Sequence, residues 1–314
     1  HDTHVTIPLP IILYSEYSGF HIFMSSRFEH GHASYKNFYI CGDEQFRGKI
    51  VEDLPDEMLS ELPEEKAEEL KDGYLPYDIS ITKNVVGIFF SVILLIWIFR
   101  KLAKTYMGNG KKTPKGIQNA LEPLILFIRD DIARSAIGDK KYERFMPFLL
   151  TLFFFILLNN LLGLIPIFPA GANVTGNITV TMVLALFTFL VTNINGNKHY
   201  WRHIFNTPGV PWPLKFVIPL MPVIEIFGMF TKPFVLMVRL FANITAGHII
   251  VLSFYVLIFV FGQINLYAGY GVSVLSVAFT LFMFILELLV AFIQAYVFTL
   301  LSALYFGMAT EDDH

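Results

Sequence analysis

The sequence is poor in charge and in cysteine, and both shortages exclude classes of protein. Charged residues make up 16% of the 314 residues, against about 25% in an average soluble domain. The single cysteine, Cys41, excludes an intrachain disulfide and a cysteine-based zinc site. A net charge of −3 supplies no basic surface of the kind that nucleic-acid binding requires. The sequence also lacks nucleotide-binding motifs, so we expect no cofactor, no metal site and no ATP chemistry in this chain.

Long apolar runs take the place of the missing charge. Hydrophobic residues make up 54% of the chain, 32 of them are Phe, and the mean hydropathy is +0.56. Apolar segments of about 20 residues are long enough to cross the roughly 30 Å hydrocarbon core of a bilayer. The composition therefore predicts an all-α membrane protein.

The first 84 residues differ from the rest of the chain. They contain 16 acidic and 7 basic residues, a net charge of −9. The acidic, Pro-punctuated stretch 52–72 predicts a solvated short helix or linker, and the alternation in HVTIPLPIILYS and FHIFMSS predicts short strands. We expect residues 1–84 to form an acidic extramembrane segment of open role, and residues 85–314 to form a transmembrane domain. The chain begins with His rather than Met, which a cleaved signal peptide would fit.

Five apolar segments predict five transmembrane helices. They cover residues 85–99, 147–168, 178–194, 216–261 and 272–306. The basic residues that follow the first segment are Arg100, Lys101, Lys104, Lys111, Lys112 and Lys115, and the loop 195–215 is basic as well. By the positive-inside rule the N-terminus lies outside and the C-terminus in the cytoplasm. Residues 117–137 have apolar residues at helical spacing, with charges on other faces, and predict an amphipathic helix in the interface.

The last two segments are too long for an ordinary crossing. Continuous helices over 46 and 35 residues would extend about 69 and 53 Å, and an average tilt does not absorb the excess. No polar loop permits an additional crossing. The lengths therefore predict a strongly tilted or bent helical hairpin, a geometry suited to the curved wall of a partner.

Few charges remain in the apolar half, and each of them needs a reason because a charge at mid-membrane costs several kcal/mol. Between residues 145 and 310 the only carboxylates are Glu225 and Glu287, and from residue 216 to 310 the only cations are Lys232 and Arg239. A guanidinium stays protonated at any working pH, so Arg239 suits a fixed positive barrier that forces nearby carboxyls to ionise. Snorkelling or structural pairing is the alternative for Arg239.

Polar and small residues accompany Arg239 at helical spacing. Asn243 at i+4 and Ala246 at i+7 share its face. Small residues at 242, 246 and 247 permit close approach of another helix, and packing alone would explain them. The imidazole of His248 exchanges protons near neutral pH, although a hydrogen-bonded core histidine would also fit.

A second set of polar residues lies on the final segment. Glu287 and Gln294 are seven residues apart and share one face. A buried carboxyl can load and release a proton, so Glu287 and His248 form a candidate relay pair, or alternatively a purely structural hydrogen bond. Glu225 and Lys232 fit either an interfacial ion pair or the lining of an aqueous vestibule.

The combination of these residues resembles a known family. The run RLFANITAGH at residues 239–248 resembles the signature of subunit a, the stator subunit of the membrane sector of rotary F-type ATP synthases. Further matches are NLLGLIP from Asn160, Asn177 with Ile-Thr, Glu225 with Lys232-Pro233, and the tail that carries Glu287, Gln294 and Tyr296. The resemblance covers residues 117–314.

The resemblance implies a role for each site residue. Arg239 would face the carboxylate of each passing c-ring subunit and block a proton short-circuit between two offset half-channels. His248 and Glu287 would belong to the half-channel that opens outside, and Glu225 to the cytoplasmic one. Asn243 and Gln294 would flank the arginine. Many bacterial members carry the acid and the histidine in exchanged positions, and the order here is that of mitochondrial versions.

The resemblance also implies partners and a location. The partners are the c-ring subunits, the peripheral-stalk subunit b, the other ATP synthase subunits and membrane lipid. The location is a bacterial inner membrane, with the mitochondrial inner membrane as the alternative.

Other functions are weighed against this one. An ion-coupled secondary transporter would also bury Arg, Glu and His, but internal repeats are usual there and none is visible. An intramembrane metalloprotease needs clustered ligands such as HExxH, and His248 is alone in the apolar spans. A structural scaffold has no use for an unpaired mid-membrane arginine.

Overall fold

The computed structural model describes residues 8–42, 46–60, 73–107, 116–165, 171–205 and 220–311, together with the single positions 63, 66 and 70. The chain forms two compact units, His1–Val86 and Gly87–His314. Several residues used in the predictions lie outside the described part: Lys111, Lys112, Lys115, the turn at Pro166, and residues 206–219, which hold the end of the basic loop and the predicted start of the fourth span.

The first unit is built from short strands. They are β1 (Pro10–Ser15), β2 (Gly19–Met24), β3 (Phe38–Ile40), β4 (Ile50–Glu52) and β5 (Tyr77–Asp78). β1 lies between β2 and β5 in an antiparallel three-stranded sheet, and β3 pairs with β4. A 3₁₀ helix (Ser25–Gly31) and the short helix α1 (Asp56–Ser60) complete the described elements. The strands predicted in the two alternating segments are confirmed by β1 and β2.

A small apolar core stabilises this unit. Its buried members are Ile11, Leu13, Phe23, Phe28 and Phe38. The rings of Phe23 and Phe28 meet edge to face at 5.3 Å, a favoured geometry for aromatic pairs. Because strand side chains alternate, one face of the three-stranded sheet supplies this core and the other face does not.

Helices make up the second part of the chain. They are α2 (Lys83–Met107), α3 (Ile117–Phe127), a π-helical segment (Ile128–Arg134), α4 (Ser135–Ile137), α5 (Tyr142–Gly163), α6 (Ile178–Ile194), α7 (Lys198–Phe205), α8 (Leu220–Ile264) and α9 (Leu266–Thr310). Four of them, α2, α5, α8 and α9, are long and apolar enough to cross a membrane. The pair α6 and α7, bent by 103°, passes the same criterion together. The described part of the chain is therefore mostly helical and holds four helices, or five with the bent pair, that could span a membrane, in agreement with the predicted all-α membrane protein of about five spans.

Helix α6 has the bounds predicted for the third span. Asn177 precedes it with extended backbone, and its side chain accepts a hydrogen bond from Thr179 N. Such a cap satisfies one of the free N–H groups of the first turn. The local sequence therefore fixes where this helix begins.

The predicted amphipathic helix at 117–137 is present as α3, the π-helical segment and α4. On its apolar side, Ile128 and Ile132 are fully buried. On the other side Asp130 accepts hydrogen bonds from Arg129 at 2.8 and 2.9 Å and from Arg134 at 3.1 Å. The hydrogen bonds from Arg129, followed by the two positive charges, hold the pKa of the Asp130 carboxyl below its usual value. Asp130 therefore remains ionised at neutral pH.

The core of the second unit joins this amphipathic segment to α5, α8 and α9. Its fully buried large side chains include Ile132, Leu149, Phe153, Leu240 and Phe306. The rings of Phe145 and Phe306 stack at 4.9 Å between centroids. Polar ties cross the helices as well, such as Thr188 Oγ1 to Ser302 Oγ at 3.4 Å. Packing and hydrogen bonds of this kind hold helices together where lipid tails offer no hydrophobic contrast.

Helices α8 and α9 form a hairpin, as the lengths of the apolar runs predicted, and its strong tilt stays a prediction. Each contains 45 residues, which corresponds to about 68 Å at 1.5 Å per residue. Asn265 separates the helices and caps α9 by accepting a hydrogen bond from Tyr267 N at 3.0 Å. α8 begins at Leu220 and continues through Pro233 without a break. The two long apolar stretches are thus single helices rather than pairs of crossings.

Candidate functional site

Arg239 lies near the middle of α8, in an apolar sequence, as predicted. Its side chain is exposed on the surface of this chain, so the described helices of the chain itself do not bury this arginine. The apolar run is a helix as its hydropathy predicted, but hydropathy does not report which face of a helix another helix covers. Among the described residues, Arg239 makes neither a hydrogen bond nor an ion pair.

The residues beside Arg239 on its face of α8 have short side chains, and no described segment of the chain covers them. Ala242, Asn243 and Ala246 are all exposed and fall on that face by helical spacing. Asn243 makes no hydrogen bond to another side chain in the described part of the chain. At Ala242 and Ala246, the predicted close approach of a neighbouring helix is therefore not made by another described segment of this chain.

His248 and Glu287 lie together, as the relay hypothesis requires. Nδ1 of His248 is 3.6 Å from Oε1 of Glu287, and the two side chains are 29% and 11% exposed. This Oε1 atom is buried and has no hydrogen-bond partner among the described residues. A buried oxygen without a partner carries a free-energy cost, so the described residues do not hold Glu287 in a satisfied structural hydrogen bond.

A glycine permits the approach of Glu287 to α8. A Cβ atom on Gly247 would lie 2.5 Å from Oε1 and 3.2 Å from Cγ of Glu287. Real Cβ atoms do not come that close, so a side chain at residue 247 would displace the carboxyl group of Glu287. Gly247 belongs to the run RLFANITAGH, and the close contact with Glu287 gives a steric reason for a glycine at this position.

Gln294 lies two turns beyond Glu287 and is buried, with Ala291 and Ala295. The helix α5 packs against this region, where Asn160 Nδ2 donates to the Ala291 carbonyl at 3.1 Å. The Oδ1 atoms of Asn159 and Asn160 are buried and lack partners among the described residues. The predicted shared face of Glu287 and Gln294 is thus part of a polar strip inside the helices.

A polar cavity of about 240 Å³ lies at the other end of α8. Its polar and titratable lining residues are His199, Tyr200, His203, Glu225, Lys232 and Glu311. The Nδ1 atom of His203 is 3.9 Å from Oε1 of Glu225, and the ammonium of Lys232 lies 5.4 Å from the Tyr305 ring centre. The sequence left two interpretations of Glu225 and Lys232, an interfacial ion pair or the lining of an aqueous vestibule. Because both residues line this cavity, the geometry favours the second.

His199 and His203 were not predicted as site residues. The one indication in the sequence was that the two histidines are four residues apart in a short basic segment, which forms the helix α7 in the structure. Their relation to Glu225 depends on the packing of α7 against α8, which spacing does not reveal.

The two polar regions are far apart along α8. Glu225 and His248 are separated by 23 residues, or about 35 Å of helix, and Arg239 lies about 21 Å from the first and about 14 Å from the second. Between them, Leu236 and Leu240 are buried. A smaller cavity beside Lys232 and Leu236 measures about 10 Å³, room for about one water molecule.

Comparison with known proteins assigns both parts of the chain. A family model described as ATP synthase A chain matches residues 85–307. A second model, described as a domain of unknown function (DUF8433), matches residues 1–79.

Curated relatives carry the same family name. The chain is 49% identical over 242 residues to ATP synthase subunit a of Chloroherpeton thalassium, covering 76% of this chain and 69% of that protein. It is 48% identical to ATP synthase subunit a 2 of Chlorobaculum tepidum, and the match covers 76% of this chain and 66% of that protein. It is 44% identical to ATP synthase subunit a of Myxococcus xanthus, and the match covers 78% of each protein. With a family match over more than half of its length and relatives at this identity, the chain belongs to the ATP synthase A chain family, that is, subunit a of F-type ATP synthases.

Proposed function

We propose that the chain is the stator subunit of a rotary ATP synthase and conducts protons through two offset half-channels beside a ring of c subunits. The observation that carries the proposal is Arg239, a permanent cation on an uncovered face of an apolar helix, unpaired within the described part of the chain. A charge at membrane depth without a partner needs one from outside the chain. A carboxylate on each subunit of a neighbouring ring supplies that partner.

The surroundings of Arg239 support contact with a moving partner. Ala242 and Ala246 leave the face smooth, and small residues let another helix come close. Arg239 is about 28 Å from one end of α8 and about 38 Å from the other, which argues against snorkelling. Near a guanidinium a carboxyl favours its ionised form, so each ring carboxylate would release its proton as it passes.

The two polar regions support the offset half-channels. His248 and Glu287 form the proton-exchanging pair of one half-channel, which we assign to the outside of the membrane. Glu225 and His203 line the cavity that we assign to the cytoplasmic half-channel. Because Arg239 lies between them, a proton passes from one to the other only on the ring. Gln294 and Asn243 flank this barrier.

The barrier at Arg239 is needed because proton flow has to be coupled to ATP synthesis. A membrane potential supplies about 2.3 kcal/mol per charge per 100 mV, so several protons are needed for each ATP, and a leak past Arg239 would dissipate that energy. We expect the ATP chemistry to belong to partner subunits. Besides the c-ring, those partners include the peripheral-stalk subunit b, and lipid surrounds the remaining surface.

We place the chain in a bacterial inner membrane, with the N-terminus outside and the C-terminus in the cytoplasm. The basic residues Arg100, Lys101 and Lys104 at the end of α2 support this orientation. Residues 1–84 then form an extramembrane domain, and residues 85–314 the proton-translocating domain.

The transporter alternative is weaker. A transporter holds its charged site between its own helices near the midplane, whereas Arg239 faces outward from this chain. Since no described residue of the chain pairs with Arg239, we assign the completion of the site to a partner.

Cross-linking in the assembled complex tests the proposal. A cysteine at the exposed Ala246 should form a disulfide with a cysteine placed beside the carboxylate of a c subunit. Leu252→Cys is the matched control, because this exposed position points to another face of α8. Cross-linking at Leu252 and not at Ala246 would contradict the proposal. So would purification of the chain in its assembled complex with no ring of carboxylate-bearing subunits present.

A further inference from the structure

The three-stranded sheet of the first unit has two apolar faces. One face, with Ile11, Leu13 and Phe23, packs into the core. The opposite face, called here the outer sheet face, consists of Pro10, Ile12, Tyr14, Phe20, Ile22, Met24 and Tyr77. The register joins these residues into one patch, since Tyr14 pairs with both Phe20 and Tyr77, Ile12 with Ile22, and Pro10 with Met24.

The outer sheet face is uncovered by the described part of its own unit. Phe20 and Tyr77 are each 60% exposed, and Ile22 is 59% exposed. An antiparallel sheet with one face in water normally alternates apolar and polar residues, but this face has no charged or amide side chain. A contiguous apolar patch of this kind marks a surface that is covered in the working protein.

The chain connects this sheet directly to the first membrane-spanning helix. After β5, Ile79 N donates to the Ile12 carbonyl at 2.9 Å and Ile81 N to the Pro10 carbonyl at 3.2 Å. Thr82 then caps α2, since its Oγ1 accepts from Val85 N at 3.4 Å. One residue therefore separates the last hydrogen bond of the sheet from the first residue of α2.

This connection places the end of the sheet that carries Pro10 and Met24 at the point where α2 begins. α2 is one of the helices long and apolar enough to cross the membrane. The sheet is thus joined along the chain, through Thr82, to a helix that is long and apolar enough to cross a membrane.

We propose that the outer sheet face lies on the lipid bilayer, at the interface on the side where α2 begins. The composition fits lipid better than a protein partner. A protein interface typically makes about one hydrogen bond per 100–200 Å², whereas this face offers only the hydroxyls of Tyr14 and Tyr77. Their rings lie 6.3 Å apart, and tyrosines are enriched where the bilayer meets water. Phe20, Ile22 and Met24 supply the apolar side chains that enter the boundary between headgroups and acyl chains.

The test uses the assembled complex in phosphatidylcholine vesicles, with and without brominated acyl chains. Single cysteines at Phe20, Ile22 and Met24 are labelled with a fluorophore. Ser34→Cys is the control, because Ser34 is exposed in the loop before β3. Cys41 is 3% exposed, and the unsubstituted chain measures its background labelling.

The bilayer proposal predicts that brominated lipid lowers the fluorescence at all three positions by about two-fold or more, because interfacial side chains reach about 5–10 Å into the headgroup boundary. The control should be unchanged. Quenching at none of the three positions would mean that water or a protein subunit contacts this face, and quenching at Met24 alone would mean that only the edge reaches lipid. Either result would overturn the proposal, and neither depends on proton conduction.

Discussion

The carboxyl group of Glu287 on α9 packs against the backbone of α8 at Gly247. A Cβ atom there would lie 2.5 Å from Oε1 of Glu287. The same contact brings Oε1 to 3.6 Å from Nδ1 of His248. The glycine therefore sets the distance between the two groups that we propose to exchange protons, although it carries no chemistry itself.

Replacing Gly247 with Ala should slow proton conduction without loss of the helix. Ala favours a helix over Gly by about 1 kcal/mol, but its methyl group displaces the carboxyl group of Glu287. A displacement of about 1 Å in a reacting group can cost up to about 100-fold, so we expect conduction to fall by at least about 10-fold. Passive proton flux through vesicles that contain the membrane sector measures this. Gly271→Ala is the control, because a Cβ atom at Gly271 meets no atom within 4 Å. Equal effects of the two substitutions would refute the steric role.

Glu287→Gln should slow proton uptake by about 100-fold, the usual contribution of a positioned acid or base. The amide keeps the shape of the side chain and loses the titrating proton, so the pH profile of conduction should change as well as the rate. Measurement of proton flux across a range of pH checks both effects. Glu143→Gln, at an exposed position in the first turn of α5, should leave the profile unchanged. A wild-type profile in Glu287→Gln would remove Glu287 from the relay.

The cavity beside Glu225 should contain water. A cysteine at Met229, which lines the cavity, should react with a water-soluble thiol reagent added to inside-out vesicles. A cysteine at Leu240, which is 0% exposed, should remain unmodified under the same conditions. Mass spectrometry of the isolated subunit gives both extents of labelling. An unreactive Met229→Cys would mean that the cavity is closed to the cytoplasm.

Phe306→Ala should destabilise the second unit. Phe306 is fully buried and its ring stacks on Phe145, and removal of a buried Phe side chain typically costs about 3–5 kcal/mol. Phe282→Ala removes the same atoms from a side chain that is 54% exposed and should cost much less. Thermal unfolding of the purified complex compares the two variants. Matching unfolding temperatures would show that the Phe306 contact contributes little.

Local sequence determined much of this fold. Asn177 and Asn265 cap α6 and α9 in the structure, and the length of the apolar runs predicted the hairpin. The spacing of seven residues predicted that Glu287 and Gln294 share one face of a helix. The hairpin then brings His248 on α8 close to Glu287 on α9. These features follow from neighbours along the chain or from the period of a helix.

The remaining features depend on tertiary packing. The pairing of His203 with Glu225 joins α7 to α8 across 22 residues, and no spacing rule predicts it. The exposure of Arg239 on this chain could not be predicted from the sequence, because an apolar run looks the same whether its face contacts lipid, its own chain or another subunit. The uncovered outer sheet face was missed for a related reason, since short strands with two apolar faces have the sequence pattern of buried strands.

Coupled ATP synthesis by an Arg239→Ala variant decides whether Arg239 is the barrier between the half-channels. The complex is reconstituted in vesicles, and both ATP synthesis and the passive proton leak are measured under an imposed proton gradient, with Val238→Ala as the neighbouring exposed control. We expect an assembled complex that makes no ATP from the gradient and that leaks protons faster than the control. Retention of gradient-driven ATP synthesis with an unchanged leak would contradict the role of Arg239.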